Sequence, residues 1–285
     1  MKILIIGANG QVGNEIFKLF KKKKYNCIPI SRKEWDMSIN PEYGYTLTKE
    51  YKPEIIINAA AYTDVEKAEN DINNLSLVNV KSLEFLLKGC KEFDIPFIHI
   101  SSDYVFDGMK NKPYLEYDVA NPINEYGKSK LSGENLVQQC SSYLILRTSW
   151  VFSKKGKNFV NTIKEKLNNN ENLKIISDQF GNPTSANSIA NCLLKIIEKY
   201  KKEKEFISGI YHFTGLEKVS WYEFAVFLKN ILNSKSKINQ CNTEDYPSKV
   251  KRPKNSVLSC IAIKQIFGIE QVSWKKELQK LILKK

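Results

Sequence analysis

Seven residues, Gly7-Ala8-Asn9-Gly10-Gln11-Val12-Gly13, limit what this chain can fold into more than any other stretch. They follow a short apolar run, residues 2 to 6, and open a segment in which Val12, Ile16, Leu19 and Phe20 recur at helical spacing. Strand, glycine turn and helix in that order make a cradle for a dinucleotide. Gly7 permits the sharp turn, Gly10 lets the backbone approach a pyrophosphate, and Gly13 lets helix and strand pack closely. The helix N-terminus contributes free N–H groups and partial positive charge. The spacing is GxxGxxG, one residue longer between the first two glycines than the commoner dehydrogenase fingerprint.

Beyond this turn the chain keeps a strand and helix rhythm. Apolar runs recur at 26–30, 54–58, 96–101 and 143–148 without the alternation of a half-exposed sheet, which suits strands covered on both faces. Helix-length segments lie between them, over 10–22, 74–92 and 124–139. The pattern predicts an α/β fold, a doubly wound Rossmann-type parallel sheet over residues 1–150. After Trp150 the rhythm loosens. Helical segments at 158–167, 188–200, 221–232 and 273–283, a strand near 173–177 and a turn over 178–184 predict a smaller C-terminal α/β substrate lobe across 151–285. The segment 186–212 is expected to return to the first domain. A chain of 285 residues with 42% hydrophobic residues has core enough for an enzyme.

The charge and the cysteines exclude other classes. Of 44 basic residues only Arg32, Arg147 and Arg252 are arginine, so the net charge of +13 is almost wholly lysine. Nucleic-acid readers lean on arginine for bidentate base contacts, and no RRM, KH or helix-turn-helix pattern occurs. The expectation is a solvated lysine surface with no nucleic-acid partner and a weak pull toward anionic ligands. Cys27, Cys90, Cys140, Cys192, Cys241 and Cys260 lie too far apart for CxxC or zinc-ligand spacing and read as buried thiols in a reducing cytoplasm. No apolar stretch approaches the length of a membrane span, and no His/Cys/Asp/Glu cluster suggests a metal.

Two further groups of residues carry chemistry. At the end of the second strand, where an NAD site would place an acid for the ribose 2′-hydroxyl, the chain reads Ile30-Ser31-Arg32-Lys33. Without an acid there, Ser31, Arg32 and Lys33 suit a 2′-phosphate, which favours NADPH, with NADH second. Asp36 follows on the adenine side. Tyr126 and Lys130 stand one helical turn apart. That spacing alone is weak, since this composition gives about two such pairs by chance, and Tyr45/Lys49 and Tyr200/Lys204 share it. Tyr126/Lys130 differs because it opens the helix after the fourth strand, which ends in Ser101-Ser102-Asp103. Ligands of open α/β sheets lie at the carboxyl ends of strands, where Ser102 and Tyr126 would converge with the glycine turn. A ketone reduced by hydride needs a proton at its oxygen. Tyr126 can give it if Lys130 lowers the cost of its phenolate, and Ser102 can polarise the carbonyl. His99 and His212, in apolar strand contexts, read as structural.

At this point the chain resembles the extended short-chain dehydrogenase/reductase family. The similar stretches are GANGQVG at 7, NAAAYTDVEKAE at 58, SSDYVFDG at 101, NPINEYGKSKLSGE at 121, RTSWVF at 147, DQFGNPT at 178 and RP at 252. The likeness is to members that reduce the C4 ketone of dTDP-4-dehydro-β-L-rhamnose to dTDP-β-L-rhamnose with NAD(P)H. It implies Ser102, Tyr126 and Lys130 as the catalytic set. It also implies a cofactor lined by Gly10, Gln11 and Val12, by Asp36 and Met37, and by Ala61, Tyr62 and Thr63, and a dTDP-sugar facing Asp103, Tyr104 and Trp150. Some relatives hold magnesium with glutamates at a dimer interface. Glu15 is present here, but Asn187 stands near the second position, so the expectation is a homodimer at most, with no metal.

The same residues also serve a reductase or 4-epimerase acting on a different nucleotide-activated 4-keto or 6-deoxy sugar, and a non-catalytic NADP-binding regulatory subunit of methionine adenosyltransferase type. Net consumption of NADPH separates the reductases from the others.

Overall fold

The computed structural model describes residues 1–248 and 250–283. Six strands form its central sheet: β1 (Lys2–Ile6), β2 (Asn26–Ile30), β3 (Ile55–Asn58), β4 (Phe97–Ser102), β5 (Tyr143–Thr148) and β6 (Gly209–His212). Their order is β2-β1-β3-β4-β5-β6, and every neighbouring pair is parallel. This is the doubly wound Rossmann-type sheet that the alternation of runs predicts.

The runs carry no polar alternation because successive side chains enter two different cores. Ile3, Ile5, Ile55, Ile57, Ile98, Leu144 and Leu146 face one layer, formed by Ile16 and Phe20 of α1 (Gln11–Lys22) and by Ile189, Leu193 and Ile197 of a later helix, Ala186–Glu203. Leu4, Ile6, Ile56, Phe97 and Ile145 face the other, against Leu47 of α2 (Tyr43–Tyr51) and Leu83, Leu86 and Leu87 of α3 (Ser82–Glu92). Burying both faces of a parallel sheet leaves its strand ends as the only edge open to ligands.

Two elements depart from the sequence expectation. The segment 74–92 is not one helix. A short helix, Ile72–Ser76, passes through a wide π turn, Leu77–Lys81, into α3. The helix α2 has no counterpart in the sequence reading, because small residues carry its packing. A Cβ on Gly89 of α3 would lie 1.8 Å from Thr48 Oγ1 of α2, so the two helices touch through a glycine and a threonine instead of an apolar stripe.

The helix α4 (Glu125–Val137) crosses behind β4 and β5. Residues beyond β5 build a third core, in which Phe152, Leu167, Leu173, Phe224, Leu228, Trp274 and Leu278 pack together. Its helices are Phe159–Asn168, Trp221–Leu232 and Trp274–Leu283, and its largest strand pair joins Leu173–Ile176 to Ile238–Cys241 in parallel. The expected turn over 178–184 carries two short strands, Phe180–Gly181 and Thr184–Ser185. Of the six thiols, Cys27 is half-buried and the other five are buried. Among the described residues no helix is long and apolar enough to cross a membrane.

Candidate active site

The strand order reverses at β1. The chain leaves it for β2 on one side and returns to β3 on the other, which opens a crevice between the carboxyl ends of β1 and β3. The glycine turn lies in that crevice. Gly7 has φ +78°, and a Cβ there would stand 2.7 Å from the Ala60 nitrogen at the end of β3. A Cβ on Gly13 would stand 2.2 Å from the Gly7 carbonyl oxygen, so only glycine lets α1 begin so close to β1. Gly10 is the N-cap of α1, with no side-chain cap and no acid in the first turn. The first N–H groups of this twelve-residue helix, among them those of Gln11 and Val12, therefore lack the oxygen a cap would give them, and a pyrophosphate fits that need. Gln11 fastens a loop beside the turn: its Oε1 accepts from Ser153 Oγ at 2.9 Å and Asn158 Nδ2 at 2.8 Å.

The end of β2 holds a residue that the sequence reading passed over. Ser31 donates from both its N–H and its hydroxyl to Glu34 Oε2, at 2.8 and 2.5 Å. The bonds from Ser31 hold the Glu34 carboxyl below its ordinary range. An acid thus occupies the place where the sequence reading found none. The Ser-x-x-Glu spacing of a capping box was its signal. Arg32 is exposed and donates to Asp36 Oδ2 at 2.8 Å, while Asp36 Oδ1 accepts from Ser38. Met37 is buried in the core.

Beyond β3, Ala61 and Tyr62 are half-buried and Thr63 is exposed along the rim. The Tyr62 N–H donates to Asn79 Oδ1 at 2.8 Å, and Asn79 Nδ2 donates to Ser129 Oγ of α4 at 2.9 Å. Asn79 sits inside the π turn, which aims its buried amide at the seam between this loop and α4.

β4 and α4 bring the other group together. Asn124 caps α4 by accepting from Gly127 N at 2.8 Å. A Cβ on Gly127 would lie 2.2 Å from the Tyr104 carbonyl oxygen, so this glycine lets α4 start directly against the turn after Ser102. Tyr104 and Tyr126 meet edge to face, centroids 5.7 Å apart. Burial pushes the Tyr126 hydroxyl above its ordinary range, a hydrogen bond with Ser102 pulls it back, and Asp103 and Tyr104 push in the direction of burial. Ser102 Oγ also donates to Asp103 Oδ1 at 3.1 Å. Asp103 is buried with Oδ2 unpartnered, and burial lifts its carboxyl to about 7 against the hydrogen bond from Ser102.

Lys130, one turn along α4, is buried and turned to β4. Its Nζ donates to the Ile100 carbonyl at 2.8 Å and lies 3.2 Å from His99 Nε2. Burial lowers its ammonium to about 8, against the pull of Glu134. Among the described residues no hydrogen bond joins Lys130 to Tyr126, and Lys130 is turned from Tyr126 to the backbone of β4. Trp150 follows β5 with φ +47° and stacks on Trp221, centroids 3.4 Å apart. Trp221 covers one of its faces, a partner that no spacing in the sequence announces.

The family model for the RmlD substrate binding domain matches residues 1–285. A dTDP-4-dehydrorhamnose reductase of Aggregatibacter actinomycetemcomitans is 38% identical over 288 aligned residues, covering 98% of each chain. The crystal structure of a dTDP-4-dehydrorhamnose reductase from Clostridium acetobutylicum superposes with a TM-score of 0.92 at 36% identity, over 99% of this chain and 98% of that one. That of a dTDP-4-dehydrorhamnose reductase from Bacillus anthracis in complex with NADP gives 0.91 at 29% identity, over the whole of both chains.

Proposed function

The chain belongs to the RmlD substrate binding domain family, and from that premise we propose that it reduces the C4 ketone of dTDP-4-dehydro-β-L-rhamnose to the hydroxyl of dTDP-β-L-rhamnose. It is an NAD(P)H-dependent oxidoreductase. The observation that carries the finer reading is that Ser102 ends β4 while Tyr126 opens α4 against the turn that follows it, at the carboxyl edge of the sheet that also holds the uncapped N-terminus of α1.

In this reading NADPH, held along Gly7, Gly10, Gln11, Val12 and Gly13, by Ser31, Arg32, Asp36 and Met37 on its adenosine side, and by Ala61, Tyr62 and Thr63, supplies the hydride. Ser102 donates a hydrogen bond to the C4 oxygen and fixes it beside Tyr126. Tyr126 delivers the proton to that oxygen as charge develops there. Burial keeps the Tyr126 hydroxyl protonated until the substrate calls on it. Lys130 holds the nicotinamide ribose and offsets the charge left on Tyr126. Asp103, Tyr104 and Trp150 face the sugar. Residues 1–150 with 186–212 form the cofactor domain, and the remainder of 151–285 forms the substrate lobe. The protein works in the cytoplasm on a dTDP-sugar, an anion to which its charge of +13 is complementary.

Tyr126→Phe tests this directly. It should lower turnover by about a hundredfold or more while NADPH binding is retained. Undiminished turnover would remove Tyr126 from the mechanism.

A further inference from the structure

Behind the proposed catalytic set lies a row of three buried polar side chains, Asn58 of β3, His99 of β4 and Lys130 of α4, of which only Lys130 has a role so far. Their contacts fix where the protons must be. Asn58 Oδ1 accepts from the Ala60 N–H at 3.1 Å, so the amide nitrogen is the end turned to His99, 3.2 Å from Nδ1. A flipped amide would set two donors against each other at Ala60. Because Asn58 donates to Nδ1, Nδ1 carries no proton, and a neutral His99 has its hydrogen on Nε2. That hydrogen points at Lys130 Nζ, 3.2 Å away. An ammonium has donors only, so the contact is satisfied only when Nζ accepts, as a free amine whose own hydrogen goes to Ile100 O at 2.8 Å.

We propose that Asn58 and His99 are positioning residues that favour the free amine of Lys130 against β4 in the cofactor-free protein, so that its ammonium gives up a proton there more readily than an ordinary lysine does. When the dinucleotide binds, Lys130 leaves the His99 Nε2–H, holds its proton more tightly and presents an ammonium to the ribose and to Tyr126. The proposal rests on the reading of Lys130 as a cofactor-side residue. The charges that bear on Lys130 are few: His99 faces it from β4, and Glu134 lies one turn on along α4, tied to Arg147 of β5 at 2.6 Å. Asn79 and Ser129, which bond to each other nearby, are neutral. Burial keeps His99 uncharged, in agreement with the geometry.

The chain has only two histidines, so selective ¹⁵N-histidine labelling resolves both rings, and His212→Gln assigns them. The cofactor-free protein should show His99 with Nε2 protonated and Nδ1 bare. Its signals should move with a midpoint near pH 8, that of Lys130, instead of near the ordinary imidazole value of about 6.5. Lys130→Met should abolish that movement. Asn58→Asp gives His99 Nδ1 an acceptor and should reverse the tautomer. A wild-type Nδ1–H tautomer, or a movement near pH 8 that survives Lys130→Met, would overturn the proposal. These spectra are read without turnover. If Lys130→Met left both turnover and NADPH affinity intact, the proposed role of Lys130 would fail separately.

Discussion

Asp103 stands in an environment unlike water. An unfolded chain releases its proton near 4, whereas the folded protein, which buries the carboxyl and leaves Oδ2 without a partner, releases it at about 7. Between those values the folded state binds the extra proton, so this residue lowers stability progressively as pH rises through that window, by about 4 kcal/mol at the alkaline end. Asp103→Asn should therefore raise Tm relative to wild type at pH 8 and lose the advantage toward pH 4, checked by thermal melts at both. Equal differences at the two pH values would contradict the burial account. Glu34 poses a question of cofactor choice. Its carboxylate sits on Ser31, where a 2′-phosphate would otherwise find only donors. Glu34→Gln should raise the ratio of kcat/KM for NADPH over NADH several-fold, and an unchanged ratio would place the 2′-position elsewhere. At this scale the sequence was uneven. The close approach at Gly7 and Gly13 was legible because backbone geometry leaves few alternatives to glycine there. Glu34, Asn79 and His99 were not, because each acts through a partner distant along the chain or hidden within a turn.

Among the elements, those whose shape depends on local rules were readable. β1, β2, β5 and the helix Trp221–Leu232 fall on the expected residues, since short apolar runs and helical spacing decide them. The π turn within 72–92 was not readable, because the apolar spacing continues through it and the extra residue is accommodated for the sake of Asn79, a tertiary need. α2 was hidden because glycine and threonine do the work of an apolar stripe. α4 is the element that the site depends on most, and Gly127 sets its position. Alanine is a better helix former than glycine by about 1 kcal/mol, yet a Cβ at Gly127 would lie 2.2 Å from the Tyr104 carbonyl. Gly127→Ala should keep the helical circular dichroism and lose on the order of a hundredfold in kcat, because α4 must back away from Ser102. Full activity would show that the contact of Tyr126 with Ser102 tolerates more play than the structure implies.

In the whole molecule, buried charge stitches the layers where the site is assembled. Glu134 of α4 accepts from Ser101 of β4 and from Arg147 of β5, and Arg147 lies 3.4 Å from His212 of β6. Removing one member of such a pair strands the other, at a cost of about 3–5 kcal/mol. The segment around residue 252 is clasped to the earlier part of the chain by Arg252, which bonds Glu66 at 2.5 Å, while the Lys251 carbonyl accepts from the Asn124 cap of α4. The doubly wound parallel sheet followed from the alternation of elements. The clasp did not, because nothing near Arg252 in sequence points to residue 66. Together these features surround one crevice with an uncapped helix end, a half-buried tyrosine and a serine hydroxyl. The most direct test of that account is to mix the purified protein with NADPH and dTDP-4-dehydro-β-L-rhamnose, follow nicotinamide absorbance and identify the sugar nucleotide formed. The account predicts one NADPH consumed for each dTDP-β-L-rhamnose produced. Tight NADPH binding with no net consumption, or with a C4 epimer as the product, would contradict it.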